Sequence, residues 1–119
     1  MDFNSIFAER TKKLTISIIN EVSELPYSDK VSVIRKQIFR SSSSVAANYR
    51  AMCRARSEKE KYAKICIVVE EADETVFWLE VIEEVNMISQ VKIDEMMKES
   101  LEILKVAASY KIKLRSKIE

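Results

Sequence analysis

Apolar residues at the start of the chain recur at intervals of three, four and seven positions, which is the spacing of one helical face. They are Phe3, Phe7, Leu14, Ile18, Val22 and Leu25. This spacing predicts a first helix over about residues 4–25. Pro26 ends it, because proline cannot continue an α-helix.

The second predicted helix, over about residues 29–55, runs through four consecutive serines. Ser28 can cap its start, and its apolar positions keep one helical phase across the serines. Those positions are Val31, Ile34, Ile38, Val45, Tyr49 and Met52. A flexible linker would lose this phase. We therefore expect Ser41 and Ser42 to lie on the apolar face, where small side chains let another helix approach closely.

The third predicted helix has the clearest start signal in the chain. Ser57 and Glu60 have the spacing of a capping box, in which the serine accepts from the amide three residues on and the glutamate reaches back. We predict this helix over about residues 58–85, with an apolar face wider than one stripe. That face comprises Ile65, Val69, Ala72, Val76 and Leu79, widened by Ile67, Val68, Trp78 and Ile82. A turn over residues 86–91 leads to a fourth helix over about residues 92–117.

Four long helices with short connections predict one all-α domain over residues 1–119, an antiparallel up-down-up-down four-helix bundle. The absence of glycine agrees, because hairpins and Rossmann turns need residues that tolerate positive φ. The extra apolar surface predicts burial between subunits of a homo-oligomer. The predicted oligomer interface consists of Phe39, Ile67, Phe77, Trp78 and Ile82.

Composition excludes several classes of chemistry. Without glycine the chain has neither a P-loop nor a dinucleotide-binding turn, and without histidine it has no Ser-His, Cys-His or His-metal site. Cys53 and Cys66 form no close pair, and we see neither a signal peptide nor an apolar run that could span a membrane. We therefore expect a cytoplasmic, soluble protein, and we see no catalytic centre, cofactor site or metal site built on these motifs.

The net charge of +1 conceals a strong local imbalance. Residues 26–56 contain seven Lys and Arg against Asp29 alone, whereas residues 57–86 contain three lysines against nine acids. On the second helix the basic side chains fall opposite the apolar face. We call this set the basic ridge and predict that it binds nucleic acid: Lys36, Arg40, Arg50, Arg54 and Arg56.

The basic ridge allows two functional interpretations. Arginines one helical turn apart can meet successive phosphates bidentately, which predicts RNA or a nucleic-acid-processing protein as the partner. Alternatively, the ridge pairs with the acidic third helix, and the protein is an interaction scaffold that does not bind nucleic acid.

A third, more distant interpretation concerns the carboxylates of the third helix. Glu70, Glu71 and Glu74 have the spacing of half the motif with which all-α nucleotide pyrophosphohydrolases hold Mg²⁺. Those enzymes need a second pair, E-x-x-D, and the chain offers only Glu83 followed by Asn86. A di-iron bundle is excluded because its E-x-x-H pairs need histidine.

A row of small polar side chains borders the apolar face of the second helix: Ser41, Ser44 and Asn48. Asparagine is unfavourable in mid-helix, so we expect Asn48 to bond to a neighbouring helix or loop. We assign the row a structural role.

The run "QIFRSSSSVAANYRAMCRARSEKEKYAK" resembles the four-helix-bundle proteins encoded in ribosomal-RNA intervening sequences of bacteria. The matching positions are Arg40, Ser41, Ser44, Val45, Asn48, Arg54, Ser57 and Glu60. Accessory variability proteins of diversity-generating retroelements are structural relatives of that family. Where the family often has an Ala-Glu-Gly-like segment, this chain has Tyr49, Arg50 and Ala51.

The resemblance implies a homopentamer of antiparallel bundles around a central channel, without enzymatic activity. It also implies a link to nucleic acid, because the retroelement relatives are basic, bind nucleic acid and associate with a reverse transcriptase. We therefore expect a self-assembling bundle that presents the basic ridge to RNA or to a nucleic-acid-processing partner.

Overall fold

The computed structural model describes residues 2–119, which form four α-helices and no strand. The helices are α1 (Phe3–Ser23), α2 (Asp29–Cys53), α3 (Glu58–Glu84) and α4 (Gln90–Ile118). Each packs against the helices before and after it, and α4 returns to α1, so the four close into a bundle about 47 Å long. The predicted all-α four-helix bundle is confirmed.

All four helices begin in the same way. Asp2, Ser28, Ser57 and Ser89 each accept a hydrogen bond from the backbone amide three residues on, which satisfies one of the free donors of the first turn. The side chain of Glu60 reaches back past Ser57 and accepts from the amide of Arg56 at 2.8 Å. Local side-chain chemistry therefore fixes where each helix starts.

The turn after α3 shows how a chain without glycine reverses direction. Asn86 has a φ of 55°, in the left-handed region that asparagine tolerates better than most residues. The amide of Met87 then donates to the carbonyl of Ile82, and that of Asn86 to the carbonyl of Glu83. These two bonds form a Schellman motif that satisfies the free carbonyls at the end of α3.

The four consecutive serines lie within one unbroken helix, as predicted. Ser41 and Ser42 are buried and touch both neighbouring helices. Thr75 Oγ1 of α3 lies 3.0 Å from Ser41 Oγ, and Thr15 Oγ1 of α1 donates to the carbonyl of Ser42 at 2.9 Å. These side chains belong to a hydroxyl layer across the middle of the core, formed by Thr11, Thr15, Ser41, Ser42, Thr75 and Ser100.

Apolar packing fills the core on both sides of the hydroxyl layer. Its largest fully buried side chains include Phe7, Ile18, Ile38, Tyr49, Met52, Ile65, Leu79, Ile82, Ile93, Ile103 and Leu114. The α1–α4 seam is joined by Arg10, which donates to both carboxylate oxygens of Glu99 at 3.0 and 2.7 Å. The antiparallel packing brings the N-terminal turn of α1 beside the C-terminal turns of α2 and α4.

Candidate nucleic-acid interface

The structure divides the basic ridge into two parts. Lys36, Arg40 and Arg50 are exposed on α2, Arg54 is exposed at its C-cap, and Arg56 is exposed in the connection to α3. Only Arg40 is in an ion pair among the described residues of this set. The ridge is therefore interrupted at its middle.

Arg40 contacts two acids of α3. Its Nη1 lies 2.7 Å from Glu71 Oε2, and its Nη2 contacts Glu74 Oε2. The hydrogen bond to Glu71 raises the pKa of the Arg40 guanidinium above its ordinary value. At this position the structure matches the alternative interpretation, in which the ridge pairs with the acidic third helix.

Arg50 and Arg54 line an open groove between α1 and α2 of about 720 Å³. Small residues of both helices widen it, among them Ala8, Ala46 and Ala47. Arg54, the C-cap residue of α2, follows Arg50 by about one helical turn, so their backbones are about 6 Å apart along the helix axis. Asp2 and Glu9 also line the groove, but among residues 2–119 no carboxylate lies within ion-pair distance of either arginine.

The sequence interpretation missed a second basic segment, at the C-terminal part of α4. Residues 104–119 contain five Lys and Arg against Glu119 alone. The antiparallel fold places this segment at the same end of the bundle as the C-terminus of α2. We call the combined surface the basic end: Arg50, Arg54, Arg56, Lys105, Lys111, Lys113, Arg115 and Lys117. Counting charges on the last helix as well as the middle two would have found it.

The opposite half of the bundle is acidic. Residues 71–84 of α3 contain six acids and no Lys or Arg. The first part of α4, which packs beside them, adds Asp94, Glu95, Glu99 and Glu102. Gln90 Nε2 donates to both Glu83 and Asp94 at 2.7 Å, which links the two acidic helices. Residues 71–102 contain ten acids against two lysines, and the first part of α2 adds four Lys and Arg to this half. The acids still outnumber the basic residues here, so the charges are segregated along the bundle axis.

The predicted oligomer-interface residues do not share one environment. Phe77 is 52% exposed and Ile67 is 37% exposed, which leaves apolar surface on the outer side of α3. Phe39 and Trp78 are half-buried and pack against the core. Ile82 is 0% exposed, so its inclusion in the interface was wrong: it faces the core of its own bundle, and another subunit cannot reach it.

Trp78 lies beside Phe77 in an edge-to-face arrangement, with the ring centroids 4.9 Å apart. The indole Nε1 of Trp78 is buried and has no hydrogen-bond partner within the described chain. The two rings form one aromatic unit at the surface of α3, half buried and half exposed.

The polar row of α2 is organised differently from the expectation. Asn48 Nδ2 donates to the carbonyl and hydroxyl oxygens of Ser44 at 2.9 and 3.0 Å, so it bonds within its own helix. The expected bond from Asn48 to a neighbouring helix or loop is wrong, because the amide satisfies its donors one turn earlier on α2. Ser41 makes the contact between helices, through Thr75.

The carboxylates considered for metal binding are used in another way. Glu71 and Glu74 contact Arg40, and Glu70 is exposed. Within residues 2–119, no group of three His, Cys, Asp or Glu side chains is arranged to hold a metal ion. In a pyrophosphohydrolase these carboxylates would hold Mg²⁺. Here Glu71 and Glu74 hold the guanidinium of Arg40 instead.

Both cysteines are free thiols and partly buried. Burial raises the pKa of the Cys53 thiol above its ordinary value, so it is protonated at neutral pH. No helix among residues 2–119 has the length and apolar character needed to cross a membrane.

The fold and its segregated charges define a small antiparallel four-helix bundle with a basic and an acidic half. The chain belongs to the family of 23S rRNA-intervening sequence proteins, whose family model matches residues 4–109. The resemblance inferred from the sequence is confirmed. No curated protein matches the chain.

The chain is also similar to a crystal structure of a protein of unknown function from the S23 ribosomal protein family of Bacteroides thetaiotaomicron. The two share 29% identity, with a TM-score of 0.81 over 90% of this chain and 96% of that chain. This likeness supports the fold and the family. Because the function of that protein is unknown, the likeness does not indicate an activity for this chain.

Proposed function

We propose that this protein is a non-enzymatic, self-assembling bundle of the bacterial cytoplasm that binds RNA through the basic end. The observation that carries the proposal is the segregation of charge along the bundle axis. A protein of near-neutral total charge attracts a polyanion only if its cations are gathered on one surface, and the antiparallel fold gathers them.

The chemistry of the basic end suits phosphate. Arg50 and Arg54 are exposed, one turn apart, and no carboxylate occupies them within the described chain. A free guanidinium presents a planar fork of donors that matches two oxygens of one phosphate. Arg40 is not part of this surface, because Glu71 and Glu74 already occupy its donors.

Removing charge from the basic end tests the proposal. We expect the double variant Arg50→Gln/Arg54→Gln to weaken RNA binding and to reduce the slope of log affinity against log salt. For each phosphate that the variant no longer binds, the reduction is about 0.9 for duplex RNA and about 0.7 for a single strand. Arg40→Gln is the matched control on the same helix, and its slope should equal that of the wild type. An unchanged slope in the double variant contradicts the proposal.

The self-assembly part of the proposal rests on the apolar surface of α3. Phe77 and Ile67 expose apolar side chains in a long, narrow bundle with little core per unit of surface. We propose that other copies of the chain cover this surface, in the homopentamer that the family resemblance implies. A nucleic-acid-processing protein, the alternative partner to RNA, would bind at the basic end as well, because the apolar surface of α3 would be covered by other subunits.

A second candidate function is an interaction scaffold that does not bind nucleic acid. The contact of Arg40 with Glu71 and Glu74 favours it, since part of the basic ridge is neutralised within the subunit. The two functions separate in the binding experiment above. A scaffold predicts no salt-dependent affinity for RNA and predicts that acidic proteins, rather than RNA, compete for the basic end.

A further inference from the structure

A second groove lies at the basic end, on the other side of α1 from the groove lined by Arg50 and Arg54. This α1–α4 groove has a volume of about 730 Å³ and is formed by the first turn of α1 and the last turns of α4. Lys105, Lys113, Lys117, Phe3 and Tyr110 all line it. None of these residues belongs to the basic ridge that the sequence predicted.

Phe3 forms an exposed aromatic surface in this groove. Its ring stacks on that of Phe7 with the centroids 5.7 Å apart and an interplanar angle of 8°. Phe3 is 57% exposed, whereas Phe7 is 1% exposed and contacts the buried ring of Tyr49 edge-to-face at 4.8 Å. One face of the Phe3 ring is therefore held by the core, and the other is open.

Three lysines of α4 line the same groove as this ring. Lys113 and Lys117 lie one helical turn apart, and Lys105 lies two turns before Lys113. Within residues 2–119, none of the three forms an ion pair.

Two acids, Asp2 and Glu102, also line the groove. The carboxylate of Asp2 caps α1, and the amide of Ser5 that it accepts from lowers the pKa of Asp2. Its charge is therefore directed at the first turn of α1, and the lysines remain in excess.

We propose that the α1–α4 groove binds a single-stranded nucleic acid, with one base stacked on the open face of Phe3 and the flanking phosphates on Lys113 and Lys117. An exposed ring beside a row of cations is the arrangement that single-strand-binding proteins use. The bases of a duplex are stacked on one another and cannot reach Phe3. The inference rests on the proposed function and adds to it the strand state of the RNA and a second contact surface.

The test compares two exposed aromatic residues, Phe3 and Tyr27, in the full-length protein. Fluorescence anisotropy would measure binding of a labelled oligouridine of about ten nucleotides and of an RNA duplex of equal length. We expect Phe3→Leu to weaken oligouridine binding roughly five- to one hundredfold, the loss of one base stacked on an aromatic ring, and to leave duplex binding unchanged. Tyr27→Leu, at a 75% exposed aromatic position in the connection between α1 and α2, should change neither.

A second pair of variants tests the phosphate-binding role of the lysines. Lys113→Gln/Lys117→Gln should reduce the salt slope for oligouridine by about 0.7 for each phosphate that the variant no longer binds. Lys98→Gln, an exposed lysine in the acidic half of α4, is the control and should leave the slope unchanged.

The outcomes separate this inference from the proposed function. If the wild type binds RNA with a salt-dependent affinity but Phe3→Leu binds oligouridine normally, the groove inference is wrong and the basic end stands. If the wild type binds neither the oligouridine nor the duplex, both the groove inference and the proposed function are wrong. Equal affinity for oligouridine and for a labelled polyglutamate also overturns the inference, since it would show a general polyanion surface with no role for the ring.

Discussion

Tyr49 Oη donates to Asn4 Oδ1 over 2.9 Å and thereby ties the end of α2 to the first turn of α1. The Tyr49 ring is 0% exposed and contacts the buried ring of Phe7 in the core. The same bond fixes the part of α1 that separates the two grooves of the basic end.

Burial raises the pKa of Tyr49 above the ordinary value of a tyrosine. The folded protein then keeps the phenol proton to a higher pH than the unfolded chain, in which the group titrates near pH 10. Tyr49 should leave the pH dependence of the unfolding free energy flat below about pH 9 and make that free energy fall above about pH 10.

The variant Tyr49→Phe isolates this effect from the titration of the lysines. We expect it to be less stable than the wild type by about 1 kcal/mol at neutral pH, because the bond to Asn4 is lost. Its stability should then decline less than that of the wild type between about pH 9 and about pH 11. Urea unfolding across this range measures both, and parallel declines would contradict the assignment to Tyr49.

The hydroxyl layer offers a matched pair of substitutions. Among residues 2–119, the buried Ser42 Oγ has no hydrogen-bond partner, whereas Ser41 Oγ bonds to the carbonyl of Ile38 and to Thr75 Oγ1. We expect Ser41→Ala to destabilise the protein by about 1 kcal/mol, and Ser42→Ala to leave it unchanged or more stable by up to about 1 kcal/mol. Denaturant unfolding of both variants tests the layer, and equal losses of stability at the two serines would contradict this difference in hydrogen bonding.

Arg40 should matter little to stability despite its two acidic neighbours. Its side chain is 51% exposed, and exposed ion pairs contribute no more than about 1 kcal/mol because water and salt screen them. We expect Arg40→Gln to lower the melting temperature slightly at low salt and not at all in about 1 M salt. A large decrease that persists at high salt would show that the α2–α3 pair holds the bundle together.

Substituting the apolar surface of α3 tests the assembly. Phe77→Ser/Ile67→Ser should reduce the oligomer size, and each folded subunit should persist because both side chains are already exposed within it. Val91→Ser, at a 68% exposed position at the start of α4, is the control. Size-exclusion chromatography with circular dichroism measures both properties. An unchanged oligomer would place the interface elsewhere.

Trp78 provides a spectroscopic test of the same surface. We predict that it lies at or near a subunit interface, so its fluorescence should shift towards the red when the assembly dissociates on dilution. Emission typical of a water-exposed indole in the intact assembly would contradict this prediction.

Much of the fold could be predicted because it depends on local signals. The helical phase carried through Ser41 and Ser42, and the caps at Ser28 and Ser57, are properties of short segments. The first helix ends at Ser23 and the fourth begins at Gln90, each two residues before the predicted position, because helix ends depend on cap geometry.

The candidate site was less predictable because it depends on how the helices are placed. A helical wheel puts Ile82 on the apolar flank of α3 but does not show that it is fully buried in the core of its own bundle. Similarly, only the relative position of α2 and α3 brings Glu71 and Glu74 to Arg40. Phe3 has the spacing of a core residue, yet its place in the first turn of α1 leaves it exposed.

The most direct test of the account is the molar mass in solution, measured by light scattering at low and high salt, with and without a mixed RNA pool. We expect a species near five times 13.8 kDa that increases in mass with RNA at low salt only. A monomer would contradict the proposed assembly. An oligomer whose molar mass does not change with RNA at any salt concentration would contradict the role of the basic end.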